Sequence, residues 1–138
     1  VFALNFDFDE KQTRKNVKLL LKNARRIRAI VESQSYVRSP VMSHEPVARS
    51  NVNPETVARM AIEATEATEE WEAINEAVKL LSDEYQSIVS KKYLVRNPLQ
   101  DVDIYMGMNL ASSSYYHKVD KALVEFAFCY RGGELLER

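Results

Sequence analysis

The sequence predicts an all-α protein, and three observations carry that reading. Apolar residues recur at intervals of three and four along most of the 138 residues, the period of a helix face rather than of a strand. Gly and Pro number only 3 and 4, too few for the turns of a sandwich or barrel. Helix punctuation then divides the chain, with Asn53-Pro54 and Ser82 as starts and Arg96-Asn97-Pro98 and Gly132-Gly133 as stops. The expected order is an N-terminal basic amphipathic helix (1–33), a flexible linker (34–53), and a helical domain (54–138) opened by a long acidic helix.

The first helix is expected from about Asp9 to Glu32. Val17, Leu20, Leu21, Ala24, Ile27 and Val31 share one face, and Lys11, Lys15, Lys18, Lys22 and Arg25 lie opposite. Between Lys11 and Arg28 there are eight basic residues and no acidic one. Asp7, Asp9 and Glu10 precede them, where a helix N-terminus favours negative charge. Such a helix can lie on a membrane, enter a partner's groove or touch a phosphate backbone; the plain alternative is a solvated face over an ordinary packed helix.

Residues 34–53 break every period with Ser, Pro and Asn, and His44 among them reads as a loop residue. This stretch is expected to join a mobile first helix to the rest. Asn53 then caps the next helix, with Pro54 at its first position. Val57, Met60, Ala64, Ala67, Trp71, Ile74, Val78 and Leu81 follow at alternating intervals of three and four, an a/d seam. Its upper part, from Val57 to Trp71, is a candidate dimer seam; the alternative is packing on the chain's own helices. The acidic residues Glu63, Glu66, Glu69, Glu70, Glu72 and Glu76 occupy its outer positions.

Ser82 caps a helix whose apolar stripe is Tyr85, Ile88, Val89, Tyr93 and Leu94. A short helix from about Asp101 to Met108 follows. Asn109 suits the left-handed conformation that ends a helix, and a last helix runs from the Ala111-Ser112-Ser113-Ser114 segment to about Tyr130. A short helix, a tight turn and a helix opened by small polar residues form a helix-turn-helix pattern, here at about 99–130. In that pattern the second helix enters the major groove of DNA. Its outward N-terminal residues Ser112, Ser113, Tyr116 and His117 would face base edges. Lys118 and Lys121, with Lys91 and Lys92 from the supporting helix, would meet phosphates. Gly107 inside the bracing helix and the bulky Tyr105 weaken the pattern, and a plain helical hairpin is the alternative.

The overall balance of 19 basic and 20 acidic residues, a net charge of −1, therefore cancels between segments. From Glu55 to Glu84 nine acidic residues stand against Arg59 and Lys79. Cys129 is the only cysteine, so there is no disulfide within the chain, and with 2 His no zinc set. There is no Gly-rich phosphate loop, no Gly-x-Ser-x-Gly and no His-Glu-x-x-His, which argues against an enzyme and against a cofactor. With no apolar run near the ~20 residues of a membrane span and no signal-peptide pattern, a cytoplasmic location is expected.

The segment Leu81-Ser82-Asp83-Glu84-Tyr85-Gln86-Ser87-Ile88-Val89, followed by Lys92-Tyr93-Leu94, resembles the supporting helix of sigma-factor region 4. Asp103-Ile104, Asn109-Leu110, Ser113-Ser114-Tyr115-Tyr116 and Ala122-Leu123 continue that resemblance. Over nearly its whole length the chain resembles the ArpU-type phage transcriptional regulators. Their Lys/Arg-rich first helix, Ser/Pro linker, glutamate-rich helix and Tyr-Tyr pair match Lys11–Arg28, residues 34–53, Glu63–Glu76 and Tyr115-Tyr116. The resemblance implies a phage or prophage regulator of late or lytic genes that binds double-stranded DNA, in the host cytoplasm. The seam adds the expectation of a homodimer, and the basic first helix would supplement phosphate contacts or engage a partner such as RNA polymerase. The departures are Asn109 where the pattern has Gly, Ala111 where it has a capping Ser or Thr (so that Ser112 would shift the start by one), and His117 where a basic residue often stands. A small terminase-like packaging protein and a helical adaptor that binds only protein are the alternatives from other classes.

Overall fold

The computed structural model describes residues 6–38 and 53–138, and all its regular structure is helical. The elements are α1 (Glu10–Lys22), α2 (Ala24–Arg38), α3 (Pro54–Lys79), α4 (Asp83–Val89), a π-helical turn (Ser90–Leu94), α5 (Asp101–Gly107) and α6 (Ser112–Cys129). Positions 39–52 of the expected linker, His44 included, lie outside the described residues.

Local chemistry sets the starts. The Asp9 carboxylate accepts from the Gln12 N–H at 3.0 Å, and the Asn53 side chain accepts from the Glu55 N–H at 3.0 Å. Ser82 Oγ accepts from the Tyr85 N–H at 3.4 Å. Each cap satisfies a donor that the first turn leaves without a partner. The single first helix expected from the sequence is broken at Asn23, whose side chain donates to the Leu19 carbonyl at 3.1 Å. An Asn side chain competes for backbone acceptors and so favours a break there. α2 then continues to Arg38, beyond the expected end near Glu32.

The central element is α6, with Tyr115, Ala122, Leu123, Phe126 and Ala127 at 0–1% exposure. α1, α3, α4 and α5 all pack on it. Around it lie Val17 and Leu21 of α1, Ile74 and Val78 of α3, Ile88 and Val89 of α4, and Ile104 of α5. The first helix is therefore seated in the common core, where the sequence suggested a mobile one. Its apolar face, with Val17 at 0% and Leu21 at 1% exposure, gains roughly 1.5–3 kcal/mol per large side chain by burial.

The C-terminal segment holds α1 from its other flank. The Asp9 N–H donates to the Glu137 carbonyl at 2.8 Å, and the Glu137 N–H donates to Thr13 Oγ1 at 3.0 Å. Asn16 Nδ2 donates to the Leu135 carbonyl at 3.1 Å. Thr13 is fully buried by this arrangement. The turn that brings the segment back uses positive φ at Arg131, Gly132 and Gly133 (43°, 67° and 89°), a region that glycine enters without steric cost. Arg131 and Tyr130 both contact Glu70, the former at 3.2 Å, and so tie the end of α6 to α3.

Candidate nucleic-acid interface

α5 ends at Gly107, and Asn109 takes φ 57°, the left-handed conformation its short polar side chain tolerates. The Leu110 N–H then donates to the Tyr105 carbonyl at 2.8 Å, and its side chain packs against the core. Ala111 occupies the N-cap position of α6 without a side-chain hydrogen bond, so Ser112 is the first helical residue and does not shift the start.

One carboxylate fixes α6 against α5. Asp101 Oδ1 accepts from the Tyr115 hydroxyl at 2.6 Å and from Lys92 Nζ at 2.5 Å. Burial pushes the Asp101 carboxyl up, but the hydrogen bonds from Lys92 and Tyr115 outweigh it and hold the group below its ordinary value. Burial, then the hydrogen bond to Asp101, pushes the Tyr115 phenol far up; burial and the Asp101 charge bring Tyr93 to about 12. At neutral pH the node is thus a carboxylate held by an ammonium group and a neutral phenol. Tyr105 does not obstruct this junction: its ring lies 5.6 Å from that of Tyr115, tilted by 48°, so two bulky residues share the contact.

The residues expected to face bases are all at the surface. Ser112, Ser113 and His117 are exposed, and Tyr116 is 49% exposed with its ring edge-on to Tyr115 at 5.2 Å. The four expected phosphate-binding lysines divide. Lys121 is exposed and Lys91 half-buried, whereas Lys92 is held by Asp101 and Lys118 donates to Glu84 Oε1 at 2.6 Å. Beyond His117 the outward face of α6 continues through Lys121, Val124 and Phe128 as the floor of a groove, walled by Tyr85 and by Phe6 and Phe8. Both of the latter rings meet Phe128 edge-on, at 5.4 and 5.3 Å.

The remaining candidates lie on α1, α2 and α3. Lys11, Lys15, Lys22 and Arg25 are exposed and Lys18 is half-buried. On α3, Val57 and Met60 are 50% and 60% exposed, Ala64 is half-buried and Ala67 is buried. Trp71 is half-buried, with the Arg28 guanidinium 5.8 Å from its ring. The lower end of the seam is thus taken up within the chain.

Over 132 residues the chain is 28% identical to the autolysin regulatory protein ArpU of Streptococcus phage O1205. The alignment covers 94% of this chain and 95% of that one. The likeness is to a phage regulator by name, and it runs through every helix. No family model matches the chain. No solved structure matches it either. Among the described residues no helix is long and apolar enough to cross a membrane.

Sequence reasoning missed the carboxylates that organise this face. Glu84 stands 34 residues from Lys118 and Asp101 nine residues from Lys92, separations that no helical periodicity connects. It also missed Asp120, whose Oδ1 lies 3.8 Å from Arg14 Nε and ties α6 to α1. The only advance signal was weak: Asp101 in the first turn of a short helix reads equally well as a dipole partner.

Proposed function

We propose that the protein is a DNA-binding transcriptional regulator of phage or prophage late or lytic genes, without catalytic activity. On this reading α5 and α6 form a helix-turn-helix related to sigma region 4, and α6 enters the major groove. The observation that carries it is the placing of Ser112, Ser113, Tyr116 and His117 on the solvent side of a helix whose other side is locked by Tyr115. Small hydroxyl-bearing residues there allow close backbone approach and contact base edges or phosphates. The full-length likeness to a phage regulator supports the same reading. The exposed Val57 and Met60 supply the apolar seam for a homodimer. RNA polymerase is the candidate protein partner, and the bacterial cytoplasm the place of action.

The deciding experiment is binding to DNA flanking the protein's own locus, followed by footprinting. Tyr116→Ala and His117→Ala should lower discrimination between the footprinted site and unrelated DNA. Lys121→Ala should weaken all sequences alike, whereas Lys118 is engaged by Glu84 and adds a phosphate contact only once released. Binding and discrimination left untouched by the changes at Tyr116, His117 and Lys121 would refute the assignment of α6. Light scattering reads the second element: a dimer that Val57→Glu with Met60→Glu converts to a monomer supports the seam. Ring-sized oligomers would point instead to a packaging protein.

A further inference from the structure

We propose that α1 is a second clamp on the DNA backbone, gripping phosphates beside the groove that α6 enters; this rests on the reading of α6 just given. Arg14, Lys18, Lys11, Lys22 and Lys15 fall within an arc of roughly 100° on α1, from its 3.6-residue period. Arg14 forms one edge of that arc and reaches Asp120 on the exposed side of α6, three residues after His117. The opposite flank of α1 faces the C-terminal segment, through Asn16 and the Leu135 carbonyl. The basic stripe and the outward face of α6 therefore flank one groove, whose lining includes Glu10, Asp120 and Glu125 and which the Arg14–Asp120 pair bridges. Lys11, Lys15, Lys18 and Lys22 repeat at intervals of four, three and four, about 16 Å of helix at 1.5 Å per residue. Along a duplex that length carries about five phosphates of each strand.

The structure also discriminates between occupants. A membrane-surface helix inserts its apolar face, but here Val17, Leu21 and Ala24 are 0–1% exposed in the core. A protein groove would be filled by a cluster of apolar or aromatic anchors, whereas beside the stripe α1 exposes a single one, Leu19 at 64%, against four lysines. A row of cations with so little apolar surface matches a phosphate backbone, which binds through charge and counterion release.

The test compares the full-length protein with a Lys15→Gln/Lys18→Gln/Lys22→Gln variant, using fluorescence anisotropy on specific and random duplexes across a salt series. Lys15 and Lys22 are exposed and Lys18 is half-buried, and circular dichroism checks that the variant is folded. The expected result is a salt slope smaller by about 2–3, at ~0.9 per phosphate contact. Affinity should fall by the same factor on both duplexes, and the footprint should shorten at its flank. The matching triple Lys→Arg variant, which keeps the charge, should retain both affinity and slope. Specific binding by the parent protein with an unchanged slope in the Gln variant overturns the clamp and leaves the α6 reading intact. No DNA binding by the parent at low salt overturns the α6 reading, and the clamp with it. Sedimentation of the parent with phosphatidylserine vesicles but not with DNA assigns the stripe to a lipid surface and overturns the clamp.

Discussion

Tyr115→Phe isolates the hydroxyl that locks α6 to α5. The ring is fully buried and keeps its packing in the variant; only the donor to Asp101, 2.6 Å away, is lost. A hydrogen bond to a charged group contributes about 1.5–3 kcal/mol. The Asp101 side chain is 30% exposed, so water replaces part of the lost bond, and Lys92 still holds the same oxygen. The expected loss is therefore at the low end, about 1.5–2 kcal/mol. For a chain of this size that corresponds to a fall in Tm of roughly 5–7 °C. The pH dependence has a definite sign. The Asp101 carboxyl titrates below its ordinary value in the folded protein, so its stabilisation is present above the unfolded carboxylate range and disappears as pH falls through the folded value. The gap between parent and variant should be full near pH 7 and narrow only as pH falls below the ordinary carboxylate range. Thermal unfolding followed by circular dichroism at several pH values measures it. A variant melting within about 1 °C of the parent at neutral pH, or a deficit unchanged in acid, would refute the locking role.

Further outcomes follow from neighbouring contacts. Glu84→Gln releases Lys118 and removes a negative charge beside α6. Affinity for DNA of any sequence should rise and the salt slope steepen by about 0.9, while stability falls by no more than ~1 kcal/mol; anisotropy and urea unfolding read the two. Gly107→Ala places a methyl group where nothing lies within 4 Å, at the end of α5. It should raise the urea midpoint by the equivalent of about 0.5–1 kcal/mol without changing the m-value. At the turn, Asn109 sits at φ 57°. Asn109→Ala should cost about 1–2 kcal/mol, and Asn109→Gly should leave the urea midpoint unchanged or raise it.

Much of this architecture was legible because helices announce themselves locally. Asn53-Pro54 and Ser82 mark their helix starts through hydrogen bonds to residues two or three positions away, and the buried stripe of α6 obeys a period of 3.6. What was not legible depends on tertiary approach. The break at Asn23 interrupts a face whose periodicity runs through it without a gap. The seating of α1 depends on Glu137 and Leu135, over a hundred positions along the chain. The candidate interface divides the same way. The surface positions of Ser112, Ser113, Tyr116 and His117 follow from helical phase, whereas the capture of Lys92 and Lys118 by carboxylates on other elements does not. The seam on α3 shows the ambiguity of pattern alone, for one heptad run carries an exposed Met60 and a buried Ala67.

The seating of α1 by the C-terminal segment has a kinetic consequence. Its hydrogen bonds join residues 119 and 124 positions apart, an unusually non-local closure for a helical protein. During synthesis the apolar face of α1 emerges long before α6 and the C-terminal segment exist to cover it. For that interval the nascent chain presents a basic amphipathic helix to whatever is nearby, and α1 takes its place only when the rest has assembled.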